Sequence, residues 1–468
     1  MQSEQLREAR AALLNHARHG LGFSQAFSTS FDLAPYLALL PTGSAAGELT
    51  AILTALAPEG RAGEPTTVSP QPLSLARAVV MPGQGATVDW APAFNTEWEA
   101  AVADPVDDFE VASALIRKYG WAAPGTRGES GVSLYQEFKQ LSALVHASGA
   151  TAQPSSSFML VGGDFPGIQR AIYTITSKGA AKALRGRSFF LQLLGDAVVR
   201  RLLADLGGLP WSNVMYLAGG NFVLLAPAEA EEIVAERTWE INSRLLGSFQ
   251  GDISLVTACA PLPAADLLGP GLEHRYDALK QALQAAKQRP FADVGVQKWG
   301  RLFAPRGGRT ERHCAVCHVD PDDPRQLTPV EDEFWCEECL GFDDLARKLA
   351  RKHSYLSVTD RPDEEHAAWQ DQLYGMTGWW YTLHDRMPDD GRLVFKLNST
   401  DFVADGATGF HFFATRTPHD GYEVRDFEQL AALSTGVARI GVLRMDVDDL
   451  GRIFKDYIRP FSLTRLSA

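Results

Sequence analysis

The chain has 468 residues, 45% of them hydrophobic and 22% charged, a composition typical of globular proteins long enough for three or four domains. Its formal net charge of −13 excludes a nucleic-acid-coating protein whose surface is uniformly basic, but it is compatible with local basic clefts. The N-terminus mixes acidic and basic residues without an apolar segment, and the longest uncharged stretch, 206–228, is broken by Gly and Pro. We therefore expect a soluble cytoplasmic protein with no membrane contact.

Short strands and amphipathic helices alternate between residues 151 and 290, after a mostly helical and irregular N-terminal region, 1–150. An apolar strand at Phe158–Val161 precedes a long helix, a hairpin turns at Gly219-Gly220-Asn221, and a second helix leads to a closing strand at Ile253–Ala260. This β-α-β-β-α-β order is that of a ferredoxin-like sheet, the framework of palm-type nucleotidyl transferases and cyclases. The sequence therefore predicts an α+β protein with a palm domain over 151–290.

Four of the five cysteines form two CxxC pairs. Two thiolates with this spacing can bind the same ion, and two such pairs complete a closed tetrahedral Zn²⁺ shell, here Cys314, Cys317, Cys336 and Cys339. A redox-active CxxC is the alternative, but it would explain one pair and not the other, and His313 or His318 could replace a ligand. Because a closed shell leaves no position for water, we predict a structural zinc in an insert over 291–355.

A second strand ending in aspartate lies near the C-terminus, after a region of mixed strands over 356–436. The apolar strand Ile440–Met445 leads into Asp446-Val447-Asp448, which repeats the setting of Asp164 after its own strand. Alternation along a strand puts Asp446 and Asp448 on the same side, where they could hold the Mg²⁺ that phosphoryl transfer between nucleotides requires. An acidic turn or helix cap is the alternative. We predict that 437–468 begins a second, incomplete palm in tandem with the first.

One segment of the first palm, 165–195, contains five cations and no acidic residue. Small residues are interspersed there with Lys182, Arg185 and Arg187, which could present charged groups to phosphates near a helix N-terminus. A solvated basic helix face is the alternative. The hairpin Gly219-Gly220-Asn221 lacks the acidic pair that follows two glycines in metal-dependent cyclases, so the first palm is predicted to hold a nucleotide without a catalytic metal.

Four motifs resemble, in order, those of the large subunit of type III-A, Csm-type CRISPR effector complexes. They are GGDFPGIQRAIYTITSKGAAKALRGRSFFLQLL, NVMYLAGGNFVLLAP, the paired CxxC and IGVLRMDVDDLGRIF, and the resemblance covers about residues 133–468. Further towards the N-terminus it is weak. Val132–Tyr135 fits the end of the family's HD nuclease domain, but Gln136 and Glu137 replace an expected acid and histidine, and the opening His-Asp pair is missing. We expect 1–150 to be a degenerate, HD-derived helical region.

The resemblance implies a scaffold around CRISPR RNA that assembles with other Csm-type subunits. In this family, paired palms make cyclic oligoadenylates from ATP when target RNA is bound, and an intact HD domain cuts single-stranded DNA. The resemblance implies that Asp446 and Asp448 are catalytic ligands of Mg²⁺ or Mn²⁺. It implies further that residues around the first palm's turn bind nucleotide: Asp164, Gly167, Gln169, Lys182, Arg185, Arg187, Ser188, Gly219, Gly220 and Asn221.

The Gly-Gly-Asp-Asp hairpin expected of a second palm and the family's C-terminal helical domain would lie beyond Ala468, so we expect a fragment, a split gene or a decayed locus. Two functions stay open. One is an ATP-cyclising nucleotidyltransferase whose remainder is elsewhere. The other is a non-catalytic ribonucleoprotein scaffold that binds CRISPR RNA and partner subunits without cyclase or DNase activity. A downstream reading frame with that hairpin would distinguish them.

Overall fold

The computed structural model describes residues 2–43, 49–50, 67–75, 89–129, 131–175, 180–267, 270–292, 294, 313–320, 326–351, 353–364, 367–389, 393–413, 419–420, 423–441 and 443. Within these ranges the chain is α+β, as the sequence predicts. No helix in the described ranges is both long and apolar enough to cross a bilayer.

Helices dominate the N-terminal region, as predicted. They are α1 Gln2–Gly20, α2 Ala34–Leu37, α3 Ala91–Ala101, α4 Phe109–Gly120 and α5 Leu134–Ala147, with a short hairpin of β1 Leu49–Thr50 and β2 Thr67–Val68. A capping box starts α5: the Ser133 side chain accepts a hydrogen bond from the Gln136 backbone N–H, and the Gln136 side chain accepts one from the Ser133 backbone N–H. Gln136 therefore has a structural role at the helix start.

The next segment carries the predicted β-α-β-β-α-β order. Its elements are β3 Ser157–Asp164, α6 Ile168–Tyr173, α7 Ala180–Asp205, β4 Val214–Ala218, β5 Asn221–Pro227, α8 Ala230–Phe249, β6 Val256–Pro263 and α9 Pro270–Lys287. The four strands pair antiparallel in the order β4-β5-β3-β6. The closing strand starts at Val256, three residues later than predicted. β3 runs three residues past the predicted Val161, because Gly162, Gly163 and Asp164 keep pairing with both neighbouring strands.

The remaining described α-helices and strands follow the first CxxC pair. They are β7 Leu327–Val330, β8 Glu333–Cys336, α10 Glu337–Ala350, β9 Tyr355–Thr359, α11 Ala368–Thr377, β10 Trp380–His384, β11 Leu393–Leu397, β12 Gly409–His411, β13 His419–Asp420, β14 Glu423–Val424 and α12 Phe427–Ala432. β9 to β12 form a second four-stranded sheet, ordered β10-β9-β11-β12, in which β11 and β12 are parallel.

The first sheet is buried on both faces. Successive side chains of a strand point to opposite sides, so β3 contributes side chains to two cores. Phe158 and Leu160 face a core shared with the N-terminal helices and α9. Met159 and Val161 face a second core, which α7, α8, α10 and α11 cover. The two layers place the strand ends and hairpins of the first sheet at its rim, where a site can form.

Candidate nucleotide site and metal centre

The end of β3 meets the hairpin that joins β4 to β5. Asp164, the last residue of β3, is paired with Asn221, the first residue of β5. Asp164 is only 7% exposed, and its carboxylate forms an ion pair with the Lys287 ammonium group at the end of α9. Lysine therefore balances the charge that a metal cation would otherwise balance. The residue opposite, Asn221, has no carboxylate. The strand end therefore has one carboxylate that could bind a metal, and that carboxylate is already paired with a lysine.

The hairpin turn requires glycine. Gly219 and Gly220 have φ values of +60° and +84°, a left-handed conformation that favours glycine. A Cβ on Gly220 would also lie 2.2 Å from the Cδ1 atom of Ile168. Gly167, at the start of α6, has φ +98°, and a Cβ there would overlap the Asp252 carbonyl oxygen at 1.7 Å. These glycines let the two loops approach each other closely.

A cavity of about 750 Å³, which we call the hairpin cavity, opens beside this turn. Ser188, Gly219 and Gly220 line it, so three of the predicted nucleotide-binding residues share one space. Its volume lies in the range of about 300–1,000 Å³ that is usual for small-molecule sites. Gln169 and Gly167 lie exposed at the start of α6, whose Ile168 also lines the hairpin cavity.

The three predicted cations of α7 contact α10 instead of open space. Lys182 forms an ion pair with Asp343 at 2.6 Å, and Arg185 donates to the Leu349 carbonyl oxygen. The buried Arg187 donates to the Cys339 Sγ at 3.1 Å, and its guanidinium carbon lies 4.7 Å from the centre of the Phe342 ring. The contacts of these cations are therefore with protein, and they join the first sheet's main helix to the cysteine module.

The four predicted cysteine ligands converge. Their sulfur atoms all lie within 4.8 Å of one another, and Cys317 and Cys336 are 3.5 Å apart. A tetrahedral zinc site with Zn–S bonds of about 2.3 Å has S···S edges of about 3.8 Å, so the donor set fits a four-coordinate metal. The neighbouring thiols Cys314 and Cys317 raise the pKa of Cys336 well above its ordinary value. Four thiolates therefore need a cation to coexist.

In the N-terminal region, Glu137 stands at a position where the resemblance predicts a nuclease metal ligand, and its carboxylate contacts a histidine. His16 Nε2 lies 2.8 Å from a carboxylate oxygen of Glu137, which is buried and also accepts a hydrogen bond from the Arg127 backbone N–H. Burial raises the pKa of Glu137, but hydrogen bonds from His16 and Thr126 outweigh it and leave the pKa below its usual value. Among the described residues, only the four cysteines group three or more metal-ligating side chains.

Three cations that the sequence did not single out also line the hairpin cavity. They are Arg117 from α4, Lys139 from α5 and Arg200 from α7. Nothing local marks them, because they come from three separate helices and only the fold brings them together.

Asp446 and Asp448, the predicted metal ligands of the second palm, lie outside the described residues.

Comparison with known proteins shows similarity to Csm1. Residues 157–303 match the model of the Csm1 subunit domain B. The chain is 29% identical over 319 residues to the Cas10/Csm1 single-strand-specific deoxyribonuclease, subtype III-A, of Mycobacterium tuberculosis, covering 64% of this chain and 37% of that protein. The chain is a homologue of Csm1/Cas10. The resemblance stated from its sequence is confirmed.

Further relatives and solved structures are also Csm1 proteins. The corresponding protein of Thermococcus onnurineus is 28% identical over 366 residues, covering 72% of this chain and 45% of that protein. The crystal structure of a Csm1–Csm4 cassette in complex with one ATP matches with a TM-score of 0.67 at 20% identity, covering 93% of this chain and 55% of that chain. A Csm1–Csm4 subcomplex of the type III-A interference complex matches equally well, at 21% identity. The chain thus spans about half the length, or less, of the Csm1 relatives that it matches.

Proposed function

We propose that this chain is the large scaffold subunit, or part of it, of a type III-A CRISPR RNA-guided effector complex. In this proposal, its first sheet is a palm that holds a nucleotide for target-RNA-activated synthesis of cyclic oligoadenylates. The single observation that carries it is the hairpin cavity beside Gly219 and Gly220, two glycines that lie within the region that matches Csm1 domain B. The strand order of the first sheet supports the ferredoxin-like palm assignment.

The proposed nucleotide contacts centre on the rim of the hairpin cavity. Ser188, Gly219 and Gly220 line it, and Asp164, Gly167, Gln169 and Asn221 lie on the strand ends and loops around it. The backbone at the glycines lets a ligand approach closely, as phosphate-binding turns do. Because Asp164 is bound by Lys287 and faces Asn221, we assign the first palm to positioning the nucleotide.

The proposed metals have separate roles. The four cysteines hold structural Zn²⁺, whereas Asp446 and Asp448 hold the Mg²⁺ or Mn²⁺ that supplies charge stabilisation for phosphoryl transfer. The domain division predicted from the sequence is part of the same proposal, with 1–150 as a degenerate HD-derived region. The proposed partners are CRISPR RNA, target RNA and other Csm-type subunits. Csm4 accompanies Csm1 in the matching crystal structures.

A second candidate function, a scaffold without cyclase activity, is favoured by the lysine-bound Asp164 and by the missing carboxylate at Asn221. The test joins this chain to the remaining C-terminal part of the Thermococcus relative and adds the other Csm subunits, guide RNA and target RNA. Cyclic oligoadenylates formed from ATP are then measured by chromatography. We expect product that Asp446→Ala abolishes, because losing a metal ligand removes transition-state stabilisation.

In the same assay, Asp164→Ala should reduce synthesis less than Asp446→Ala, because a positioning residue touches no catalytic metal. Asp252→Asn, on a half-exposed surface carboxylate, is the matched control and should have no effect. Equal product with and without Asp446 would remove the cyclase proposal. Assembly with guide RNA but no product from any variant would favour the scaffold.

A further inference from the structure

A second cavity of about 280 Å³, which we call the inner cavity, lies between the N-terminal helices and the second sheet. It is bounded by α4, α5, the C-terminal end of α7 and strands β11 and β12. Ala114 and Phe395 line it and not the hairpin cavity, whereas Ser188 and Gly220 line only the hairpin cavity. The two cavities meet at a common wall that contains Arg117, Lys139 and Arg200. The inner cavity therefore adjoins the hairpin cavity and also has lining residues of its own.

The wall of the inner cavity carries an excess of positive charge. Three cations face one acid, Glu110, whose pKa is raised by burial. Arg200 is held by Asp196, at 2.6 Å between Nε and Oδ1, and its guanidinium carbon lies 4.6 Å from the Trp211 ring centre. Arg200 is thus fixed in place and partly neutralised, whereas the other two cations lack such a carboxylate.

Arg117 has no ion pair or hydrogen bond within the described part of the chain. Its guanidinium carbon lies 4.9 Å from the centre of the Phe410 ring, which orients the group without neutralising it. Lys139 donates a hydrogen bond to the Met215 carbonyl oxygen at 3.1 Å. Burial and the charge of Arg117 lower the pKa of Lys139 to about 7. Two cations therefore repel each other beside a cavity, an arrangement that an anion in the cavity would stabilise.

The walls between these charges are aromatic. Phe395 and Phe410 line the inner cavity together with Trp211, so a flat ring can lie against them while an anion faces the cations. A guanidinium group matches the paired oxygens of a phosphate better than a single point charge does. At about 280 Å³ the inner cavity lies just below the usual range of about 300–1,000 Å³ for ligand sites, a volume too small for an oligonucleotide.

We propose that the inner cavity binds a small organic phosphate with a flat ring, of the size and chemistry of a nucleoside monophosphate. Arg117 and Lys139 bind the phosphate, and the aromatic wall holds the ring. The site adjoins the proposed palm nucleotide site, whose lining also includes Arg117 and Lys139, and does not depend on its activity.

The test is calorimetric titration of the full chain with AMP, adenosine, ribose 5-phosphate and inorganic phosphate. We expect AMP to bind at least tenfold more tightly than adenosine or inorganic phosphate, because only AMP engages both the cations and the rings. Arg117→Gln should weaken AMP binding at least tenfold, and Arg117→Lys should weaken it less. The matched control is Arg170→Gln, on a side chain that is 73% exposed, and it should bind AMP as the wild type does.

Two substitutions that enlarge a lining side chain show which cavity binds AMP. Ala114→Leu occupies space in the inner cavity and should abolish AMP binding, whereas Ser188→Tyr narrows only the hairpin cavity and should leave it. Circular dichroism and thermal unfolding check that each variant folds. The reverse pattern would assign AMP to the hairpin cavity and overturn the proposal, as would absence of AMP binding by the wild type or equal binding of adenosine.

Discussion

Arg187 lies where three segments of the chain meet. It donates to the Ala171 carbonyl oxygen at 3.1 Å and to the Cys339 sulfur at 3.1 Å, and its guanidinium group packs on Phe342. A hydrogen bond to a ligating sulfur orients it and stabilises its negative charge, so such partners contribute to metal affinity. One arginine thereby links the cysteine cluster to helix α6, whose Ile168 lines the hairpin cavity.

At the residue scale we predict about one Zn²⁺ per chain in freshly prepared, reduced protein, because four thiolates form one closed site. Cys336→Ser should lose the metal, and Arg187→Gln should lower zinc affinity by roughly 10- to 100-fold. Metal analysis and competition with a chromophoric chelator measure both, with the exposed Arg170→Gln as the matched control. Wild-type protein without zinc would contradict the metal assignment, and unchanged affinity in Arg187→Gln would contradict the role of the arginine.

The cysteine set could be predicted from the sequence because its spacing is local. The contacts of Arg187 could not, because Ala171 and Cys339 lie 16 and 152 residues away from it. The sequence pattern of a basic helix near glycines is the same whether the cations face phosphate or another helix. The partner is decided by tertiary packing, which a single sequence does not encode in any local pattern.

Helices α7 and α10 approach each other at a glycine. A Cβ on Gly186 would lie 2.1 Å from the Phe342 carbonyl oxygen, a backbone atom that cannot move alone. The ion pair of Lys182 with Asp343 and the bond from Arg185 to the Leu349 carbonyl flank this contact. Glycine in the middle of a helix is normally unfavourable, so here close approach of the two backbones explains it.

At the scale of the element we predict opposite effects for two glycines of α7. Gly186→Ala should destabilise the protein by about 1–3 kcal/mol, because the new methyl group forces α10 away. Gly195→Ala is the matched control: its Cβ would meet only Leu217, at 3.4 Å, so the change should be neutral or stabilising by up to ~1 kcal/mol. Urea unfolding followed by circular dichroism gives both values. Equal effects at the two positions would show that the close contact is absent.

The order of the elements was predictable because it depends on periodicity within short windows. The helix face of Phe190, Leu194, Val198 and Leu202 is fully buried, as an apolar face with four-residue steps should be. The length of β3 was not predictable from apolar residues alone, because Gly162 and Gly163 break the pattern. They remain in the strand because both pair with β5 and β6, and position 163 requires glycine because the Phe222 ring occupies the space where a Cβ would lie. Likewise, nothing local indicates that α4, α5 and α7 enclose a cationic cavity.

On the scale of the whole molecule, the N-terminal helices and the first sheet share one core. Leu144 of α5 and Leu160 of β3 belong to the same buried cluster, and both are fully buried. Asn213 reinforces this contact, since its side chain donates to the carbonyl oxygens of Ala143 and Leu225. The core therefore runs across the boundary at residue 150 that the sequence suggested, and the N-terminal helices cover one face of the first sheet.

This shared core predicts one common unfolding transition for α5 and the first sheet. Leu144→Ala and Leu160→Ala should each destabilise the chain by about 2–5 kcal/mol, because each leaves a cavity in the same core. Both should shift the same peak in differential scanning calorimetry, whereas Val437→Ala, at a 70% exposed position, should shift none. If the two leucine variants moved different peaks, the N-terminal helices and the sheet would unfold as separate units.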